Sequence, residues 1–380
     1  MIFTPSRFAR SVTGCVALFL LLHAALAPNR VKALDIVFAV DPAYTMSPAA
    51  LAGFEAAAGL WESRLLDPVT VSIAIAAYDF GPEMSNIIGG ANPIFYDAPY
   101  AQFREAHEID ITSDADSAVA ATLSSGTTYQ RFVNNVYPGW SVSLDGSRFI
   151  TSHDTVRLTG ANAKALGLSL GPLNSVDATI DFNSAIGFDY DRSDGIAAGT
   201  MDFIGVAAHE IGHALGFTSI VNNVDLGQSF MTVLPSMPMD FIRYSVQSET
   251  WAVQDVSIER SLATQRRYLK IGDTGIPMST GLRNGDGYQA SHFLEGYGLG
   301  LMDPTIASGE TLAIAANDLL VLDAIGWNII AVPEPASSAL AVIGITLVGI
   351  ARWRNKQCSG LAIKSDGLAC IRSRAADRNH

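Results

Sequence analysis

The stretch AAHEIGHALGF, residues 207–217, constrains this 380-residue chain more than any other. His209 and His213 stand four residues apart. On a helix that spacing is one turn plus about 40°, so both imidazoles leave the same face. Two histidines so placed can hold one metal ion. Glu210 is turned roughly 100° from His209 and can take a proton from a water that the metal has made acidic. The opposite face carries Phe203, Ile204, Ala207, Ile211, Ala214 and Leu215, the apolar stripe of a buried helix. Gly205 and Gly212 fall near the histidine side, where each costs a helix about 1 kcal/mol against alanine. Something bulky therefore approaches that face. Gly216 closes the helix as a C-terminal cap, and the expected span is about 200–215.

The flanking pattern is α+β. LDIVFAV (34–40) reads as a buried strand, and Ser47-Pro48 as a cap and first-turn pair. Leu51, Phe54, Ala58, Trp61 and Leu65 follow at helical spacing. TVSIAIAAYDF (70–80) alternates as a strand does. Strand, long helix, strand implies a right-handed crossover and a partly parallel sheet. Further elements are expected as a helix over 115–123, a strand over 176–184, a helix near 256–270 and a last helix over 317–327, stopping at Gly326.

Charge and cysteine content narrow the setting. The formal net charge is −13, yet both ends are basic, so residues 34–335 carry about −22. Nucleic acid is excluded as a partner on that count, since binding it takes a basic footprint. Arg7 and Arg10 ahead of VALFLLLHAALA (16–27) read as a secretory signal over residues 1–33, cut after Ala33. The cysteines are Cys15, Cys358 and Cys370, so residues 34–331 have no disulfide and are stabilised by their core alone.

A zinc site in a hydrolase takes three protein ligands and leaves a fourth position to water. The commonest extension of the two-histidine pattern has a further histidine six residues on, where this chain has Ser219, and a hydroxyl is a poor zinc ligand. His107 and His153 precede the helix. Downstream, His292 is the histidine before residue 332, and Glu249 and Glu259 are the glutamates a thermolysin-like arrangement would draw on. Asp189, Asp191 and Asp194 in FDYDRSDG cluster as calcium ligands do. They lack the spacing of an EF-hand, and a solvated acidic turn is the plainer reading.

HEIGHALGF resembles the active helix of the metzincin clan of zinc endopeptidases, and the later SHF…GLMDP is similar to its leishmanolysin-like branch. The resemblance implies a zincin-like α+β fold with a smaller C-terminal subdomain. It also implies one catalytic zinc on His209, His213 and His292, Glu210 as general base, and Met302 as the turn methionine beneath the metal. The 79 residues between His213 and His292 are then spanned by an insertion over 218–291. By the same resemblance the 176–184 strand is expected at a sheet edge, pairing with an extended protein or peptide substrate. Tyr297 is a candidate to steady a developing oxyanion.

VPEPASSALAVIGITLVGIARWRN (332–355) looks like the PEP-CTERM sorting signal of Gram-negative bacteria. That implies a membrane helix over 332–356, an exosortase as processing partner, and a place in the bacterial envelope or outside the cell. Residues 357–380 depart from the pattern, whose basic cluster normally ends the chain. The functional expectation is an exported zinc endopeptidase. The alternatives are an inactive surface or matrix protein that keeps the fold, and a zinc hydrolase of a non-peptide bond.

Overall fold

A computed structural model describes residues 33–330, except 134, 137–140, 143–148, 170–175, 227–233 and 257–266. The signal sequence, the sorting signal and the tail lie outside the described residues, as does Glu259. Among the described residues no helix is long and apolar enough to cross a membrane.

The architecture is mixed α+β. Strand β1 (Asp35–Val40) leads into helix α1 (Pro48–Glu62) and strand β2 (Thr70–Tyr78). Ser47 caps α1 by accepting the Ala50 N–H at 3.1 Å, with Pro48 in the first turn where its missing N–H costs nothing. The expected face is largely the buried one: Phe54, Ala58, Trp61 and Leu65 are inside. Leu51 points out, and Ala50, Gly53 and Ala57 complete the packed stripe.

Strands β3 (Gly89–Pro93) and β4 (Ala178–Asn183) complete a four-stranded sheet in the order β1-β2-β4-β3. β1 and β2 are parallel, with Ile36 opposite Val71, and β2 and β4 are parallel, with Ile75 opposite Ile180. β3 runs antiparallel to β4, with Ala91 opposite Ile180. This corrects the placement of the 176–184 strand: it lies inside the sheet, and β3 is the edge. GGANP lacks the alternation and branched residues that mark a strand, so it was not legible as one in the sequence; Pro93 is a residue that sheets admit at edges.

The core lies between this sheet and two helices, α1 and α2 (Phe203–Leu215). Phe54, Phe182 and Phe203 meet there with centroids 4.7–5.2 Å apart. The helices Tyr100–Ile109 and Asp114–Ala120 follow β3 in the chain, the second closed by a Ser113–Asp116 capping box.

Beyond α2 the expected helix near 256–270 is corrected over its described part. Residues Arg267–Ile271 form strand β5, paired antiparallel with β6 (Thr274–Met278). Gly272 at φ +57° and Asp273 make the two-residue turn between them, a hairpin signal that outranks any helical spacing nearby. Helix α3 (Ala316–Ala324) closes the domain, and Gly326 at φ +101° ends the turn after it. The chain then returns to its start. Leu66 N–H donates to Asn328 O and Ile330 N–H to Arg64 O, both at 2.8 Å.

Candidate metal centre

Helix α2 is buried along nearly its whole length, so its placement is dictated by what packs on it. Asp202, just ahead of it, does not cap it. Its carboxylate takes the Arg192 guanidinium and the Leu312 N–H instead, tying the 188–195 loop to the 312 segment. The indole N–H of Trp61 donates to Ala208 O at 2.9 Å, and that of Trp327 to Leu215 O at 2.8 Å. One tryptophan from α1 and one from beyond α3 thus fix the helix at its middle and at its C-terminal end.

The two glycines face the bulk expected of them. A Cβ on Gly212 would sit 2.6 Å from Met302 Sδ and 3.4 Å from Trp61. One on Gly205 would run into Asp202 and lie 2.7 Å from Leu312 Cβ. Gly216, at φ +118°, takes the left-handed conformation of a C-terminal cap.

Across the histidine face the chain brings up His292. Its Nε2 lies 3.1 Å from His209 Nε2 and 3.1 Å from His213 Nε2. The far nitrogen of each ring is engaged: His209 Nδ1 with Leu301 O at 2.8 Å, His213 Nδ1 with Phe217 O at 2.8 Å, and His292 Nδ1 with Gln289 O at 3.2 Å. A carbonyl can only accept, so each Nδ1 carries the proton and each Nε2 is a bare lone pair. Three lone pairs facing one another are not hydrogen bonds. They are an acceptor set that calls for a cation.

Electrostatics keep the rings neutral. Burial pushes the His213 pKa down to about 3, helped by His209. Burial lowers His209 as well and holds His292 far below its ordinary value, with the other two histidines adding to the effect. Neutral imidazole is the ligating form. The separations also suit the ion: zinc–nitrogen bonds of about 2.0–2.1 Å in a tetrahedron place their nitrogens about 3.3 Å apart. Among the described residues this is the one group of three or more ligating side chains.

Glu210 lies beside the trio. Burial raises its pKa to about 8, opposed by a hydrogen bond from the Ala91 N–H of β3. The outward edge of that strand therefore reaches the floor of the site. Met302 is fully buried against Gly212, with Asp318 of α3 accepting the Leu301 and Met302 N–H groups at 2.8 and 3.0 Å.

The other candidates fall elsewhere. Glu249 is partly exposed and occupied by Tyr268 and Lys270, and Tyr297 is half-exposed and absent from the cleft wall. Asp189 and Asp191 accept backbone N–H groups within their own turn, Asp189 from Asp191 and Ala197 and Asp191 from Ser193, and no cation group forms there among the described residues. His107 is buried against Ala324 O, and His153 sits with Thr151.

The site opens into a cleft of about 780 Å³. Gly89–Pro93 form one wall. Val206, Met201, Ile306 and Leu312 make an apolar stretch, while Thr218, Asn222, Gln289 and Ser291 make an amide- and hydroxyl-rich one. Glu210 and Asp303 are the charged residues, apart from the histidines, among those lining it. Ser219 lines the cleft too, but its hydroxyl donates to Asp240 at 2.6 Å.

No protein-family model matches the chain, and neither a curated protein nor a solved structure matches it. What the fold and site define is a mixed α+β domain with a three-histidine group that can hold a metal ion.

Proposed function

We propose that this protein is a zinc-dependent endopeptidase of metzincin-like architecture that cleaves extended segments of protein chains. The convergence of three proton-free Nε2 atoms, with that of His292 3.1 Å from each of the other two although it stands 79 residues beyond His213, carries the reading. Zinc bound there supplies Lewis acidity, polarising a carbonyl and acidifying a water.

The protein's own groups account for the rest. His209, His213 and His292 hold the ion through Nε2, each fixed in one tautomer by the carbonyl on its Nδ1. Glu210, beside the three histidines, takes up a proton from the attacking water and gives it to the leaving amine. β3 is an edge strand along the cleft, to which an extended peptide can add as a further strand. That preference for extended backbone supports protein over small-molecule substrates. The nearly uncharged walls favour neutral side chains beside the scissile bond.

Met302 under Gly212 supports the metzincin-like assignment, as does an active helix lying against an antiparallel edge strand. An inactive protein keeping only the fold has no use for three imidazoles held in the ligating tautomer. The reading includes export to the envelope or beyond, on the strength of the terminal sequences.

The test is digestion of a mixed peptide library by the zinc-loaded protein beside a Glu210→Ala control, with cuts read by mass spectrometry. Cuts expected in the first sample should vanish in the second. Their absence from both, with zinc stoichiometrically bound, overturns the endopeptidase assignment.

A further inference from the structure

Ser219 occupies the position, six residues after His213, where a hydroxyl is useless as a zinc ligand. It is nevertheless almost wholly buried and makes contacts that lead to the third histidine. Its Oγ donates to Asp240 Oδ1 at 2.6 Å and accepts the Val221 N–H at 3.2 Å. Its N–H donates to Ser291 Oγ at 2.9 Å. Ser291, adjacent to His292, also accepts Asn222 Nδ2 at 2.6 Å.

Asp240 is the anchor of this set. It is fully buried, and its Oδ2 accepts the Ile220 and Met237 N–H groups at 3.0 and 2.8 Å. The buried Arg243, whose charge favours the ionised Asp240, reaches the other flank of the same segment. Its guanidinium donates to Ala290 O at 3.1 Å and Ser279 O at 2.6 Å. Ser279 in turn donates its N–H to His292 O at 3.1 Å and its hydroxyl to Phe293 O at 2.7 Å. Residues 290–293 are thereby each held by a bond: 291 from Ser219 in the turn that follows α2, 290 from Arg243, and 292 and 293 from Ser279.

We propose that Ser219, Asp240 and Ser291 are positioning residues for the metal: they fix His292 in register with His209 and His213 by binding its segment to the C-terminal end of the active helix. The proposal rests on the metal reading above. Physically it follows from the location of the third ligand on irregular chain. His209 and His213 inherit their spacing from a helix, whereas His292 has no such template and takes its position from directional bonds. Buried bonds of this kind are strict because a donor or acceptor left unpaired away from water loses its hydration with nothing in exchange.

The test uses the full chain and two metals. Zinc affinity is measured by competition with a chromophoric chelator, and the cobalt-substituted protein is read by its visible absorption. Ser291→Ala and Asp240→Asn should each weaken zinc about tenfold or more, the range seen when the groups that orient a ligand are removed. Both should alter the cobalt bands, and Ser291→Thr, which keeps the hydroxyl, should restore them. Asp177→Asn is the control. Asp177 is equally buried and bonded to Lys164 at 2.6 Å and the Ser72 N–H at 2.8 Å, but does not line the cleft. It should lower the melting temperature and leave the cobalt spectrum alone.

Unchanged affinity and spectrum in Ser291→Ala, with the wild type binding one ion, overturn the positioning role alone. An equal spectral change in Asp177→Asn overturns it as well, by showing general loosening. A wild type that binds neither metal overturns the metal reading and this inference together. Should Asp240→Asn fail to fold, Ser291→Ala and its threonine rescue decide the question.

Discussion

The two helix-borne histidines and the loop-borne one reach the same point by different physics. His209 and His213 are delivered by a helix packed on all sides, where Trp61, Phe203, Ile211 and Trp327 exclude water. His292 is delivered by irregular chain, and bonds from Ser219, Arg243 and Ser279 hold that chain in place of close packing. Burial is non-directional and tolerates small displacements, whereas hydrogen bonds fix direction and tolerate few. A metal site needs both: bulk to exclude water and direction to aim the lone pairs.

The largest effect expected tests whether the loop ligand belongs to the set at all. His292→Ala should lose most of its zinc on gel filtration, as metal analysis will show, and full retention would dissolve the contrast. Next comes the packed side. Trp61→Ala removes a fully buried ring and the bond to Ala208 O, and should cost about 3–5 kcal/mol in denaturant unfolding. The molecules still folded should bind zinc as the wild type does. If affinity falls in step with stability, helix and loop are not separable.

A smaller effect is expected at Gly212→Ala. The gain of about 1 kcal/mol in helix propensity is opposed by the clash with Met302 Sδ, and overpacking of this kind costs about 1–3 kcal/mol. The net change should be a modest loss, and a gain would show that Met302 can withdraw.

The smallest concerns the acidic group around Asn328, away from the site. Burial raises Asp110 and Asp323 to about 7, with Asp67 and Asp116 adding repulsion. Their folded pKa values lie above the unfolded ones, so the fold binds extra protons between about pH 4 and pH 7. Their contribution to stability therefore falls as pH rises through that window. Asp323→Asn should melt higher than wild type at pH 8 and lose that advantage by pH 4. A constant difference would contradict the assignment.

What was legible in the sequence follows the same division. The active helix, its glycine cap, α1 and the parallel β1–β2 pair announced themselves because local periodicity and caps encode them. The convergence of His292 on the helix was implied by resemblance alone, since nothing in residues 218–291 states where the chain returns. Asp240 and Ser291 carried no signal: a buried serine and a solvated one look alike in sequence. β3 was missed because its role needs a bare backbone edge and its residues are correspondingly featureless. Residues 267–270 were misread as the end of a helix, because the partner that makes them a strand lies across the Gly272–Asp273 turn.

The two tryptophan contacts on α2 bear on how the molecule comes into being. The helix is complete when residue 215 has been made, but the group that holds its last carbonyl arrives 112 residues later, with Trp327. Its middle waits on no later residue, because Trp61 was made 147 residues earlier. Contacts so distant in sequence form late. A chain growing from its N-terminus can therefore assemble most of the sheet before the C-terminal end of α2 is secured. The timing of synthesis itself leaves that end of the helix unsecured in an unfinished chain.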